Sequence, residues 1–185
     1  MLINTIPLLE AKDSSEIENI VTTHDELFRT DLQSAGALEA GAKEVLRYRQ
    51  ALRHGFEQVR ASGLLTVNHI LGMQAELERN QAGFRRLPGT RLKDGAGQTV
   101  YTPPQNPADI VASMGALERF INDDALFPAD PLIKMALMHH QFESIHPFED
   151  GNGRMGRAII DMALAQYPKQ PLRLYSLSRC VFWRT

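Results

Sequence analysis

The sequence predicts an all-α fold, a layered helical bundle carrying one small β-hairpin, and three observations support that reading. Apolar residues recur at three- and four-residue intervals along most of the chain. Turn-forming residues crowd into one stretch, from Leu87 to Pro104. Beyond it, Asn106-Pro107 and Asp130-Pro131 each set a capping side chain ahead of a proline at the first helical position. The 185 residues, 43% of them hydrophobic, suffice to bury one core, and no repeat divides them. The expected organisation is an N-terminal segment over residues 1–35 followed by a core domain over residues 36–185.

Taken in order, Asp13 with Glu16 and Ser15 with Glu18 have capping-box spacing, so a short helix is expected near residues 14–22. Leu38, Ala42, Val45, Leu46, Leu52, Phe56 and Val59 define one face of a long helix that Gly63 closes. Val67, Ile70, Leu71 and Leu77 mark the next, started by Thr66. Thr99-Val100-Tyr101 then reads as a strand among turn residues, and a hairpin turning at Asp94-Gly95 is expected. Ile110, Met114, Leu117 and Ile121 form the inward face of the helix after Asn106. The Asp130 helix runs toward Ser144, and a last helix starts near Asn152 with Met155, Ile159 and Met162 inward. Lys134 and the arginines between Arg47 and Arg60 read as solvated faces, and the seven methionines as core filler.

Several function classes are disfavoured. The net charge of −2 offers no basic field to nucleic acid. Cys180 is the single cysteine, so no disulfide forms within the chain, which suits a reducing compartment. The start lacks a basic region and Pro7 breaks its apolar run, unlike a secretory signal. No apolar run reaches the roughly 18 residues that would span a bilayer. A soluble, cytoplasmic protein without a membrane partner is expected.

The informative segment is His146-Pro147-Phe148-Glu149-Asp150-Gly151-Asn152-Gly153-Arg154-Met155-Gly156-Arg157. Gly151 and Gly153 lack a Cβ, so backbone N–H groups can approach a phosphate closely at a helix start, where the dipole favours an anion. Arg154 and Arg157, three residues apart, project from nearly one helix face and can grip phosphate oxygens. Asp150 is one hard oxygen ligand, suited to Mg²⁺ shared with substrate phosphates. His146, largely neutral at pH 7, can accept a proton from a hydroxyl. His139, His140 and Glu143 have helical metal-ligand spacing, but in an apolar helix they read more simply as packing or supporting residues.

This segment resembles the HPFx[DE]GNGRxxR signature of Fic domains at every specified position. The resemblance extends through Tyr101-Thr102-Pro103-Pro104, Leu117-Glu118-Arg119-Phe120-Ile121 and His140-Gln141-Phe142-Glu143-Ser144-Ile145, and covers the chain from about Ser14 to Arg179. It implies a Fic-type helical bundle and a protein adenylyltransferase, which moves AMP from ATP onto a Ser, Thr or Tyr hydroxyl of a protein target. By that likeness His146 is the base, Asp150 the Mg²⁺ ligand and Phe148 the apolar anchor of the loop. Gly151, Asn152 and Gly153 form the phosphate nest, with the Asn152 amide also contacting phosphate; Arg154 and Arg157 hold the polyphosphate, Arg157 at its γ end.

Two further assignments follow from the resemblance. The hairpin, through Thr99, Val100 and Tyr101, corresponds to the flap that docks an extended target segment by strand addition. Ser14, Glu18 and Asn19 fit the family's inhibitory pattern [ST]xxxE[GN], in which the glutamate pairs with Arg157 and keeps it from ATP. Ser14 and Glu18 are expected on one helix face. Related chains continue past Tyr175–Arg179 with more helices, so the C-terminal helices are expected to be truncated, or completed by a second copy in a homodimer. The competing readings are an enzyme that removes AMP with the same site, and a catalytically silent nucleotide-binding module.

Overall fold

The computed structural model describes residues 2–27 and 40–166. The boundary expected near residues 35–36, the position Leu38 and the C-terminal stretch with Cys180 lie outside them. Described elements run in the order α1 (Leu2–Ile17), α2 (Ala40–Ser62), α3 (Val67–Glu78), β1 (Leu92–Lys93), β2 (Thr99–Tyr101), α4 (Pro107–Asn122), α5 (Pro131–Ile145) and α6 (Asn152–Ala165). The fold is mostly helical with one two-stranded antiparallel sheet, as the periodicity indicates.

The first helix corrects the expectation of a short helix at residues 14–22. It begins at Leu2, carries Pro7 inside it and ends at Ile17. Asp13, Ser14 and Ser15 therefore occupy its last turns and are not start caps. Its buried residues, Leu8, Glu10, Ala11, Ser14 and Ser15, have helical spacing but three of the five are polar, which hid them from a search for apolar periodicity. The helix stops in a Schellman arrangement. Asn19 N–H donates to the Glu16 carbonyl and Ile20 N–H to that of Ser15, each at 3.0 Å, with Asn19 left-handed at φ +60°. Glu18 is thus the residue just past the helix, not a member of its face.

The other helices follow their sequence signals. Gly63, at φ +73°, ends α2 with its N–H on the Val59 carbonyl at 2.7 Å. Thr66 caps α3 by accepting from His69 N–H at 3.3 Å. Asn106 and Asp130 cap α4 and α5 through Ala108 N–H at 2.9 Å and Leu132 N–H at 2.8 Å. Met73, Met114, Met135, Met138, Met155 and Met162 are buried, along with Tyr48, Phe142 and Phe148. Helix α1 rests on α2 and α6, α2 packs on α3 and α6, and α5 lies between α4 and α6.

Two local readings change. The hairpin turns over Asp94–Gln98, not at Asp94-Gly95: Asp94 N–H donates to the Gln98 carbonyl and Gly97 N–H to the Asp94 carbonyl, each at 2.9 Å. The positive φ falls on Gly97 (+80°), while the Asp94 carboxylate accepts from Ala96 and Gln98 N–H and so organises a wider loop. Lys134 is buried rather than solvated, with its ammonium 2.6 Å from Asp124 and 5.4 Å from the Phe120 ring centroid. Of the arginines on α2, Arg53 and Arg60 are exposed, whereas Arg47 and Arg49 are half-buried. Among the described residues no helix is long and apolar enough to cross a membrane.

Candidate active site

The site is built where α5 ends and α6 begins. His146 terminates α5 in a left-handed conformation (φ +47°, ψ 60°), its N–H bonded to the Phe142 carbonyl at 2.9 Å. This bend turns the chain out of the helix and into the loop. Phe148 returns it to the core, fully buried, with ring centroids 5.5 Å from Phe84 and 6.2 Å from Phe142. Gly151, at φ +76°, then supplies the conformation that starts α6, and its carbonyl accepts from Met155 N–H at 2.9 Å.

Asn152 has a role beyond the one the resemblance implies. Its Oδ1 accepts from Phe148 N–H at 3.0 Å and its Nδ2 donates to the Phe148 carbonyl at 2.8 Å. One N–H of the amide and its oxygen are spent on closing the loop, which leaves the second Nδ2 hydrogen as the side chain's remaining donor.

Beside the loop lies a cleft of about 420 Å³ lined by Glu18, Glu44, His146, Asp150, Gly153 and Arg154, among others. The cleft therefore brings together His146, Asp150 and the helix start, with Glu18 arriving from beyond α1. Asp150 is exposed, and one of its oxygens accepts from Gly151 N–H at 2.7 Å. Burial lowers the basicity of His146, Arg85 lowers it further, and Glu143 opposes them in part. The imidazole is accordingly neutral at pH 7 and able to accept a proton.

The two arginines are both held by the chain's own anions. Arg157, 8% exposed, donates through Nε to Ser14 Oγ at 2.6 Å and through Nη2 to the Ser14 carbonyl at 2.9 Å and Glu18 Oε1 at 2.8 Å. A Cβ on Gly153 would overlap that same Glu18 oxygen, so the carboxylate lies directly against the start of α6. Arg154 pairs with Glu44 at 3.2 Å and Glu78 at 3.0 Å, and its carbonyl accepts from Tyr48 Oη at 2.9 Å. Burial pushes the Glu78 carboxyl up; Arg154 opposes this, while Asp150 and Glu44 add to it.

Thr99, Val100 and Tyr101 are all exposed and leave a free strand surface on the hairpin. His139 and Glu143 pack against Gly156 of α6, and Glu143 Oε2 lies 3.9 Å from His146 Nδ1. Burial raises the Glu143 carboxyl and lowers the His139 imidazole. Glu44, Glu78, Tyr48 and Arg85 also serve the site, and the sequence did not mark them. They are dispersed over α2, α3 and a loop, with no shared spacing to signal them. The buried Tyr48 in an otherwise basic run was the one available hint.

Comparison with known proteins places these features. The family model described as "Fic/DOC family" matches residues 64–164, and "Fic/DOC family N-terminal" matches residues 1–57. A protein adenylyltransferase Fic of Drosophila erecta is 37% identical over 67 residues, 35% of this chain and 14% of that protein. Protein adenylyltransferase fic-1 of Caenorhabditis elegans is 25% identical over 80 residues, 43% of this chain and 16% of that one. The aligned part is thus a small fraction of those relatives. Among solved structures, a Fic domain-containing signaling protein from Bacteroides thetaiotaomicron superposes with a TM-score of 0.76 at 20% identity, covering 89% of this chain and 64% of that one. Fic-1 of C. elegans (aa134–508) superposes at 0.69 and 19% identity, covering 90% and 49%. At these identities the superpositions speak to the fold.

Proposed function

Since the chain belongs to the Fic/DOC family, we propose that it transfers the AMP half of ATP to a Ser, Thr or Tyr hydroxyl of a protein, and that Glu18 restrains this transfer. The relatives named protein adenylyltransferase support the reaction class. The observation that carries the restraint is the Glu18 carboxylate seated on Arg157 against the start of α6. An anion already stands where a helix N-terminus and a guanidinium would attract a phosphate.

In the transfer, the polyphosphate lies along the start of α6, with free amide hydrogens and Arg157 taking its negative charge once Glu18 withdraws. His146 accepts the proton of the target hydroxyl as that oxygen bonds to the α-phosphorus. The bond from the α-phosphorus to the bridging oxygen breaks in line, and pyrophosphate leaves. Positioning and charge stabilisation supply most of the acceleration in such reactions. The exposed hairpin edge, Thr99–Tyr101, suits docking of an extended target segment whose main chain pairs with it.

Magnesium fits the donor set: Asp150 is an exposed hard oxygen ligand beside the helix start, and a single carboxylate suits an ion that also binds phosphates and water. Bound there with the nucleotide, the ion would neutralise phosphate charge. The test is mass spectrometry of Glu18→Gly protein after incubation with Mg-ATP. Added AMP is expected on the protein itself or an added target, and none with Glu18→Gly/His146→Ala. AMP transfer that survives the loss of His146 would remove the base from the mechanism.

A further inference from the structure

Arg85 lies in the connection between α3 and the hairpin and is 2% exposed. Its Nε donates to the His146 carbonyl at 2.8 Å, and its Nη2 reaches the carbonyls of Pro104 and, at 3.5 Å, Ile145. Its own N–H donates to the Pro147 carbonyl at 2.8 Å. One side chain therefore joins the segment leaving the hairpin to the residue before the base and to the base itself. Among the described residues no carboxylate stands within ion-pair distance of it; Glu149 acts on it from farther off.

A buried guanidinium held by carbonyls through Nε and Nη2, with Nη1 left without a hydrogen-bond partner, is an expensive way to hold a loop, since an apolar side chain of similar size often serves stability as well. What the fork adds is direction. His146 occupies the left-handed region, where a residue with a side chain is strained and persists only when its surroundings fix it. Its N–H is fixed by the Phe142 carbonyl and its carbonyl by Arg85. The peptide group that aims the imidazole is thereby tied to the segment that leaves the hairpin.

Resting on the transfer reading above, we propose that Arg85 is a positioning residue, whose bridge from Pro104 to His146 sets the base and the target-docking hairpin in one mutual geometry. It touches neither nucleotide nor target. A lysine at this place keeps the charge but loses the planar fork, so it cannot span both segments.

Arg85→Lys and Arg85→Met are compared in the Glu18→Gly protein, with melting curves to correct for folded fraction. Calorimetry should give Mg-ATP affinities within about twofold of the parent, since the nest and Arg157 are untouched. AMP transfer per folded molecule should fall roughly 10- to 100-fold in both, the loss expected for misplaced reacting groups. A parental transfer rate in either folded variant overturns the proposal. So does a loss of ATP affinity that accounts for the whole effect, or a failure of both variants to fold, which makes Arg85 structural only. Should the Glu18→Gly parent itself transfer no AMP, the functional reading fails and the bridge is read separately by amide NMR of Arg85→Lys. The amides of Thr102 and Gln105 should then shift together with those of His146 and Phe148. Shifts confined to one segment refute the bridge.

Discussion

Removing the Glu18 carboxylate should release the site, and the structure bounds by how much. The perturbation is Glu18→Gly. It deletes one charge-assisted hydrogen bond of 2.8 Å between a carboxylate 40% exposed and a guanidinium 8% exposed. Such a half-open pair lies between a surface ion pair and a buried one, about 1–2 kcal/mol. At roughly 1.4 kcal/mol per factor of ten, the productive fraction of ATP-bound protein rises about 5- to 30-fold. The gain is limited because Ser14 keeps its own two bonds to Arg157. The assay is the initial rate of AMP incorporation from labelled Mg-ATP at saturating nucleotide, normalised to folded protein. A folded variant whose rate stays within twofold of wild type, or drops below it, refutes the idea that Glu18 competes with phosphate.

Three other perturbations test the site and its supports. Asn152→Ala strands both the N–H and the carbonyl of buried Phe148 and should cost about 2–4 kcal/mol in urea unfolding; a loss under about 0.5 kcal/mol would show the loop held by other means. The pH profile of transfer should stay flat from pH 7.5 down to His146's depressed value, because only the neutral imidazole accepts a proton; its acid limb belongs below the ordinary value of about 6.5, and a limb above that contradicts the burial of the base. Asp161→Asn should raise the melting temperature by about 2–4 °C at pH 8 and leave it unchanged near pH 4. Burial and the neighbouring Glu10 push the Asp161 carboxyl up, so its folded-state pKa exceeds the unfolded one and stability is lost as pH rises through it, a loss a neutral amide avoids.

Helix starts and stops governed by a single side chain were legible. Asn106, Asp130, Thr66 and Gly63 each act through a local hydrogen bond or backbone conformation, and local chemistry is what spacing records. Where the sequence misled, a tertiary contact had overridden a local signal. The expected helix near residues 14–22 took its start from capping spacing, yet α1 begins at Leu2 and runs through Pro7, with Leu8, Ala11, Ser14 and Ser15 buried. Lys134 reads as a solvated charge, yet Asp124 and the Phe120 face receive it in the interior. The loop from His146 to Arg157 was legible as a unit because its residues are contiguous. Arg85, Glu44 and Glu78 were not, because each joins the loop only through the fold. Asn152 carries a part that the motif did not announce, its amide closing the loop on both the N–H and the carbonyl of Phe148.

The two arginines of that loop differ in a way that decides which anion can leave. Arg154 is braced by Glu44 and Glu78 from two long helices, and the Tyr48 hydroxyl holds its carbonyl. Freeing it means breaking two ion pairs, one of them to the mostly buried Glu78 carboxylate. Among the described residues, Arg157 is held by hydrogen bonds to α1 and its end, and the carboxylate paired with it stands just past the helix, beside the left-handed stop at Asn19. Because the Glu18 side chain is 40% exposed, a change of that side chain alone would free Arg157 without moving the buried Ser14 and Ser15. Arg154 lines the cleft while Arg157 lies behind Glu18, so polyphosphate that reaches Arg157 must displace Glu18, and the end of α1 is where a regulator would act.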